Sequence, residues 1–123
     1  MQLKHEILAA QSESGAHELA DILLKINPDK DADAVENHAT KLVLVSLILS
    51  ASSQGNNCVQ FFMDRLKESN PNDWLSLFQG RAKTNLETVL SNMTEKYSRM
   101  LGQQLYMRIG TYVWGQCLHS NAN

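Results

Sequence analysis

The chain has 123 residues, 43% hydrophobic and 20% charged, with a formal net charge of −2. That is the size of one ordinary domain, with enough apolar content to bury a core without disulfides or metals, and the charge excludes a general affinity for nucleic acid or acidic membranes. The charge is unevenly spread: residues 1–80 carry six basic and eleven acidic side chains, residues 81–123 five and two. The basic end is expected to pack against the acidic half of its own chain, with an acidic partner as the alternative.

Leu3, Ile7 and Leu8 begin an amphipathic stretch that falters at QSESG, residues 11–15. A restart is predicted with Ser14 as its cap and Leu19, Ile22, Leu23 and Ile26 at helical spacing. Pro28 ends it, because the residue before a proline, Asn27, is pushed out of the α region. In DKDADAVENHAT, residues 29–40, Asp29, Asp31 and Asp33 alternate like the first ligands of a calcium loop. Such a loop needs glycine at its sixth position and glutamate at its twelfth, and here Ala34 and Thr40 stand there. Asp33 with Glu36 instead has capping-box spacing, the aspartate accepting from an orphan amide and the glutamate reaching back. The acids therefore read as a helix start, not a metal site. Residues 39–51 are apolar on nearly every side and are predicted to form a central helix.

SSQGNN ends that helix, with Gly55 suited to a left-handed position. Asn57 and Gln60 repeat the capping spacing before a stripe of Val59, Phe62, Met63 and Leu66. Asn70-Pro71 breaks the chain again, and Trp74, Leu77 and Phe78 lie on one side of a short helix that Gly80 is expected to close. Thr84 with Glu87 opens the longest predicted helix, 84–118. Leu86, Met93, Met100, Met107 and Trp114 recur in it every seven residues, and from Leu101 a second series runs through Leu105, Ile109 and Val113. Gly102, Gly110 and Gly115 each cost roughly 1 kcal/mol in a helix interior relative to alanine, which implies a close neighbour or a kink. The fold class is all-α: a single domain over residues 1–123, a bundle of five or six helices.

Two cysteines, Cys58 and Cys117, stand in no metal-like spacing, as in a reduced intracellular protein. The apolar run at 42–51 is about half the length of a bilayer-spanning helix, and the N-terminus lacks a signal-peptide core. A soluble, cytoplasmic protein is expected, with no membrane association.

The search for chemistry yields little. His17-Glu18-Leu19-Ala20-Asp21 is near a zinc-protease motif, but Asp21 replaces the second histidine and no third ligand can be named. Cys58 at a helix start is a site where a thiol pKa can be lowered, yet no base accompanies it. No phosphate-binding glycine loop occurs. No catalytic residue, metal or cofactor is assigned. His38 and Lys41 are neighbours on one helix face. This pair resembles that of histidine phosphotransfer domains, all-helical proteins that place a phosphorylatable histidine on an exposed face with a lysine three residues on. The resemblance implies phosphate on His38 neutralised by Lys41. It departs from the family where Leu42 replaces the glycine that gives a receiver domain room.

Binding is better served. Lys96, Arg99 and Gln103 are neighbours on one face, Arg108 lies towards the end of the helix, and Tyr106, Tyr112 and Trp114 are residue types enriched at interfaces. These seven residues are the expected partner-binding surface of a non-catalytic interaction domain: a small regulator, adaptor, inhibitor or chaperone of another protein. The expected partner has an acidic surface, and self-association as a homodimer through the C-terminal helix is a further expectation. Nucleic-acid association through the basic helix ranks last, since a groove-reading helix usually brings more cations.

Overall fold

The computed structural model describes residues 2–121, with side chains as far as Leu118. They form seven α-helices and no strand: α1 (Leu3–Ala9), α2 (Glu13–Ile26), α3 (Ala34–Ser52), α4 (Cys58–Glu68), α5 (Pro71–Trp74), α6 (Gly80–Ser91) and α7 (Glu95–Asn121). The all-α class is as predicted.

Local chemistry fixes most boundaries. The cap of α2 is Ser12, not Ser14: its backbone is extended, as an N-cap requires, and its Oγ accepts from the Gly15 N–H at 3.0 Å. The buried face of α2 is narrow, made of Ala16, Leu19, Ala20 and Leu23, so Ile22 and Ile26 stand exposed. Asp33 caps α3 as expected, Oδ1 accepting from the Glu36 N–H at 2.8 Å. Glu36 does not reach back. Its carboxylate accepts instead from Gln104 Nε2 of α7 at 3.1 Å, a tertiary bond in place of the local one.

From Val43 to Ala51 every residue of α3 is buried, because α1, α2, α4, α6 and α7 all pack against it. Its buried Ser46 bonds back to the Leu42 carbonyl at 3.2 Å, so the hydroxyl enters the core satisfied. Gly55 takes the left-handed φ of +59° and opens a short 3₁₀ turn, Gly55–Asn57. Asn57 leaves that turn already near-helical, and so its side chain caps nothing.

Ser69 at φ 57° ends α4, and Asn70 caps α5 ahead of Pro71. Trp74 is buried, its Nε1 donating to the Arg65 carbonyl at 3.1 Å, and Phe78 stacks on it. Leu77 faces outward, and Gly80 opens α6 instead of closing α5.

The single long helix over 84–118 is not formed. Thr84 lies inside α6, its hydroxyl donating to the Gly80 carbonyl. At the end of α6 the Asn92 side chain and the Asn92 and Met93 amides turn back on carbonyls of the last turn. Thr94 then starts a new helix, its Oγ1 accepting from the Tyr97 N–H at 3.1 Å. Beyond this break the sevenfold stripe separates: Met100 is half-buried, while Met107 and Trp114 are exposed. The inward seam of α7 is the Leu101, Leu105, Ile109, Val113 series. Gly102 belongs to the same contact. A Cβ there would strike the Ser69 carbonyl and come within 2.7 Å of Pro71 Cδ, so the missing side chain is what lets α7 lie against the start of α5. Beside it, Asn72 Nδ2 donates to the buried Ser98 Oγ. The two ends of the chain also meet, the Leu3 N–H donating to Gln116 Oε1 at 3.0 Å.

Candidate interaction site

With its apolar seam turned inward, α7 leaves Lys96, Arg99, Gln103, Tyr106, Met107 and Trp114 exposed. Tyr106, Met107 and Trp114 form one wall of an open groove of about 490 Å³, with Met63 and Lys67 of α4 as the other wall and Gly110 and Thr111 at its floor. Lys67 Nζ sits 4.8 Å above the Trp114 ring, a cation–π contact that holds the indole in place while much of it remains open to solvent. Met107 is 78% exposed and Trp114 43%. Leu118 continues the strip one turn further on, also exposed.

Two of the seven residues expected on this surface lie elsewhere. Arg108 turns towards α2, where Nε donates to the Asn27 carbonyl at 3.0 Å and Nη2 to the Leu24 carbonyl at 2.9 Å. It thus satisfies carbonyls that the helix end leaves open. Burial pulls the guanidinium pKa below its ordinary value, and the Asp29 carboxylate opposes that shift. Tyr112 is half-buried; burial first, and then the charge of Glu6, raise its phenol pKa.

The expected pairing of the basic end with the acidic half is not found. Among the described residues the ion pairs are Lys41–Asp21, Arg65–Glu68 and Arg99–Glu95, and none joins residues 81–118 to residues 1–80. The reason is the apolar seam: cations of α7 emerge on the flanks or outside, and Arg108, which feels the charge of Asp29, forms no ion pair with it. Lys67 borders the exposed strip and Lys96 stands about three turns before Met107 on the same helix, and among the described residues neither is ion-paired with a carboxylate.

A second hollow, of about 500 Å³, lies between the start of α3 and the turn joining α6 to α7. Val35, Ala39 and Leu42 line it from α3, Val89 from α6, and Met93 and Tyr97 from the turn and α7, with His38, Asn92 and Thr94 also on its wall. No sequence signal pointed to it, because three separate segments contribute.

Of the remaining candidates, His38 is exposed, whereas Lys41 and Asp29 are engaged in local contacts. His38 and Lys41 line one hollow of about 320 Å³ beside Lys25 and Arg108, and Lys41 Nζ is 3.0 Å from Asp21 Oδ1. That pair also engages the aspartate of the zinc-like motif. Asp29 Oδ1 accepts from the Asp31 N–H at 3.0 Å. Among the described residues no three His, Cys, Asp or Glu side chains gather into a group able to hold a metal ion. Cys58 is buried and its pKa is raised by desolvation, the reverse of an activated thiol at a helix start. Cys117 Sγ donates to Gln60 Oε1 at 2.9 Å. No described helix is long and apolar enough to cross a membrane.

No protein-family model matches the sequence, no curated protein matches it, and no solved structure matches its fold.

Proposed function

We propose that this domain is a non-catalytic protein-interaction module, a cytoplasmic regulator or adaptor that docks a partner on the outward face of α7. The observation that carries the reading is the grouping of exposed large apolar side chains. Of the eight such residues in the described chain, four, namely Tyr106, Met107, Trp114 and Leu118, lie on α7 within little more than three turns. Exposed apolar groups scattered singly need no explanation, whereas a contiguous strip rimmed by polar residues marks interaction surfaces. Methionine and aromatic side chains are also the types that anchor interfaces.

Charge selects the partner. Beyond Glu95, itself bonded to Arg99, α7 has no carboxylate; Lys67 borders the strip and Lys96 extends the same helix face towards its start. The surface therefore suits an acidic segment with its own apolar side chains. A second copy of α7 would bring the same apolar strip but no acid to meet these lysines.

The test compares purified wild type with Met107→Asp and with Lys96→Glu/Arg99→Glu against the partner recovered from the native host. Met107→Asp is expected to abolish binding, and the charge reversal to weaken it about tenfold at low salt with a smaller effect at high salt. Circular dichroism should be unchanged in both. Equal binding by all three proteins would refute the assignment of this face. A dimer mass in native mass spectrometry that Met107→Asp converts to monomer would reassign the same strip to self-association.

A further inference from the structure

The hollow of about 320 Å³ that His38 and Lys41 share plays no part in the interaction reading. Its lining joins charged side chains of three helices: Asp21 and Lys25 of α2, Lys41 of α3 beside His38, and Arg108 of α7. Leu24 and Pro28 supply apolar surface to the same space. Three fixed cations and one carboxylate thus line one small hollow in a chain whose net charge is −2. Asp29 opposes them from outside: its charge acts on Arg108, but it does not line the hollow and forms no ion pair there.

Most of the donors facing this space are uncommitted. Among the described residues the side chains of Lys25 and His38 make no ion pair or hydrogen bond. Arg108 uses Nε and Nη2 on the Asn27 and Leu24 carbonyls, and its Nη1 has no acceptor among those residues. Lys41 is held by Asp21 at 3.0 Å in a solvent-reached pair, a contact that contributes little and yields readily to a competing anion. The negative dipole end of α2 would by itself repel an anion here. Arg108 is bonded to two of its carbonyls and Lys25 stands in its last turn, so that repulsion is offset. Donors arriving from three helices suit a head with three terminal oxygens better than a flat carboxylate with two. The volume lies at the low end for small-molecule sites.

We propose that this hollow binds a small organic phosphate monoester, its dianionic head among Lys25, His38, Lys41 and Arg108 and a compact apolar body against Leu24 and Pro28. Lys41 exchanges Asp21 for the phosphate on binding. The complex is reversible, with no covalent bond made or broken.

Four probes separate these contributions: phenyl phosphate, benzoate, benzyl alcohol and inorganic phosphate, each titrated at low salt into uniformly labelled protein and followed by amide chemical shifts. Phenyl phosphate is expected to give saturable shifts at Lys25, His38, Lys41 and Arg108, with affinity about tenfold above that of benzoate or inorganic phosphate. Benzyl alcohol should bind most weakly. Lys25→Gln with His38→Gln touches no cap and no bonded side chain, so the circular dichroism should be unchanged. In that protein the preference for phenyl phosphate over benzoate should fall to about twofold. Asp21→Asn, which frees Lys41, should tighten phenyl phosphate about threefold, whereas Glu87→Gln, which removes the same charge from an exposed site on α6, should not. Benzoate binding as tightly as phenyl phosphate, a preference that survives the double Gln protein, or equal tightening by Asp21→Asn and Glu87→Gln would each overturn the proposal. So would shifts centred on other lysines, tighter binding of a phosphoserine peptide than of phenyl phosphate, or no saturable shift with phenyl phosphate.

Discussion

α3 and α7 are the two longest helices, and neither has the one-sided apolar pattern of an ordinary surface helix, for opposite reasons. α3 is apolar all round because five other helices enclose it. α7 carries one apolar seam inward, through Leu101, Leu105, Ile109 and Val113, and a second strip outward, through Met107, Trp114 and Leu118. A helix of the first kind has used all of its apolar surface within the fold. A helix of the second kind has surface left over. The same weak periodicity thus covers a structural element and a candidate docking element, and only packing separates them.

Substitutions sort the two sides of α7, and the start of α3, by expected cost. The largest effect is expected of Gly102→Ala on the inward side, where the new methyl meets backbone of Ser69. It should destabilise by about 1–3 kcal/mol, as overpacking does, read as a lowered urea midpoint. An unchanged midpoint would mean that α5 shifts freely and that the seam is looser than described. Arg108→Met should cost about 2 kcal/mol, since charge-assisted bonds to the Leu24 and Asn27 carbonyls are lost. The loss should appear in hydrogen exchange as faster opening of the end of α2; protection retained there would return Arg108 to the exposed surface.

Asp33→Ala removes the cap of α3 and should cost about 1 kcal/mol. Asp33→Asn should cost almost nothing, which distinguishes the cap from any need for charge at that position. The smallest effect belongs to the outward strip: Met107→Ser should change stability by no more than about 0.5 kcal/mol. A larger loss would show that the strip supports the fold, and the contrast between the two sides of α7 would fail.

The parts of this fold that were legible in the sequence are those with a local cause. Pro28, the Asp33 cap, the left-handed Gly55 and the Asn70-Pro71 break act within a few residues, so their positions could be read directly. The α6–α7 break was hidden because Leu86, Met93 and Met100 keep a sevenfold spacing across it. Thr84 with Glu87 also imitates a start better than Thr94, whose cap has no glutamate three residues on. Glu36 imitates a capping box for a similar reason: its spacing is right, but Gln104, 68 residues away, takes the carboxylate.

The exposed strip of α7 was half legible. Residue type suggested Tyr106 and Trp114, and spacing put Lys96, Arg99 and Gln103 on one face. Met63 and Lys67 could not be named, because nothing in α4 shows which residues will stand across from α7. Arg108 and Tyr112 were misplaced because residue type alone does not tell the inner flank of a helix from its outer face. The second hollow was invisible for the strongest version of that reason, since its wall is assembled from α3, α6 and the start of α7.

The central claim, that the outward face of α7 is the docking surface, is tested most directly by a photo-crosslinking residue placed at Met107 and, in a separate protein, at the exposed Lys83 of α6. Each is irradiated in the native host and the crosslinked peptide sequenced. The account predicts one dominant adduct from Met107, to a segment of another protein bearing carboxylates and apolar residues, diminished by Lys96→Glu/Arg99→Glu and missing from Lys83. The same adducts from both positions, or a Met107 adduct to a basic segment, would contradict it.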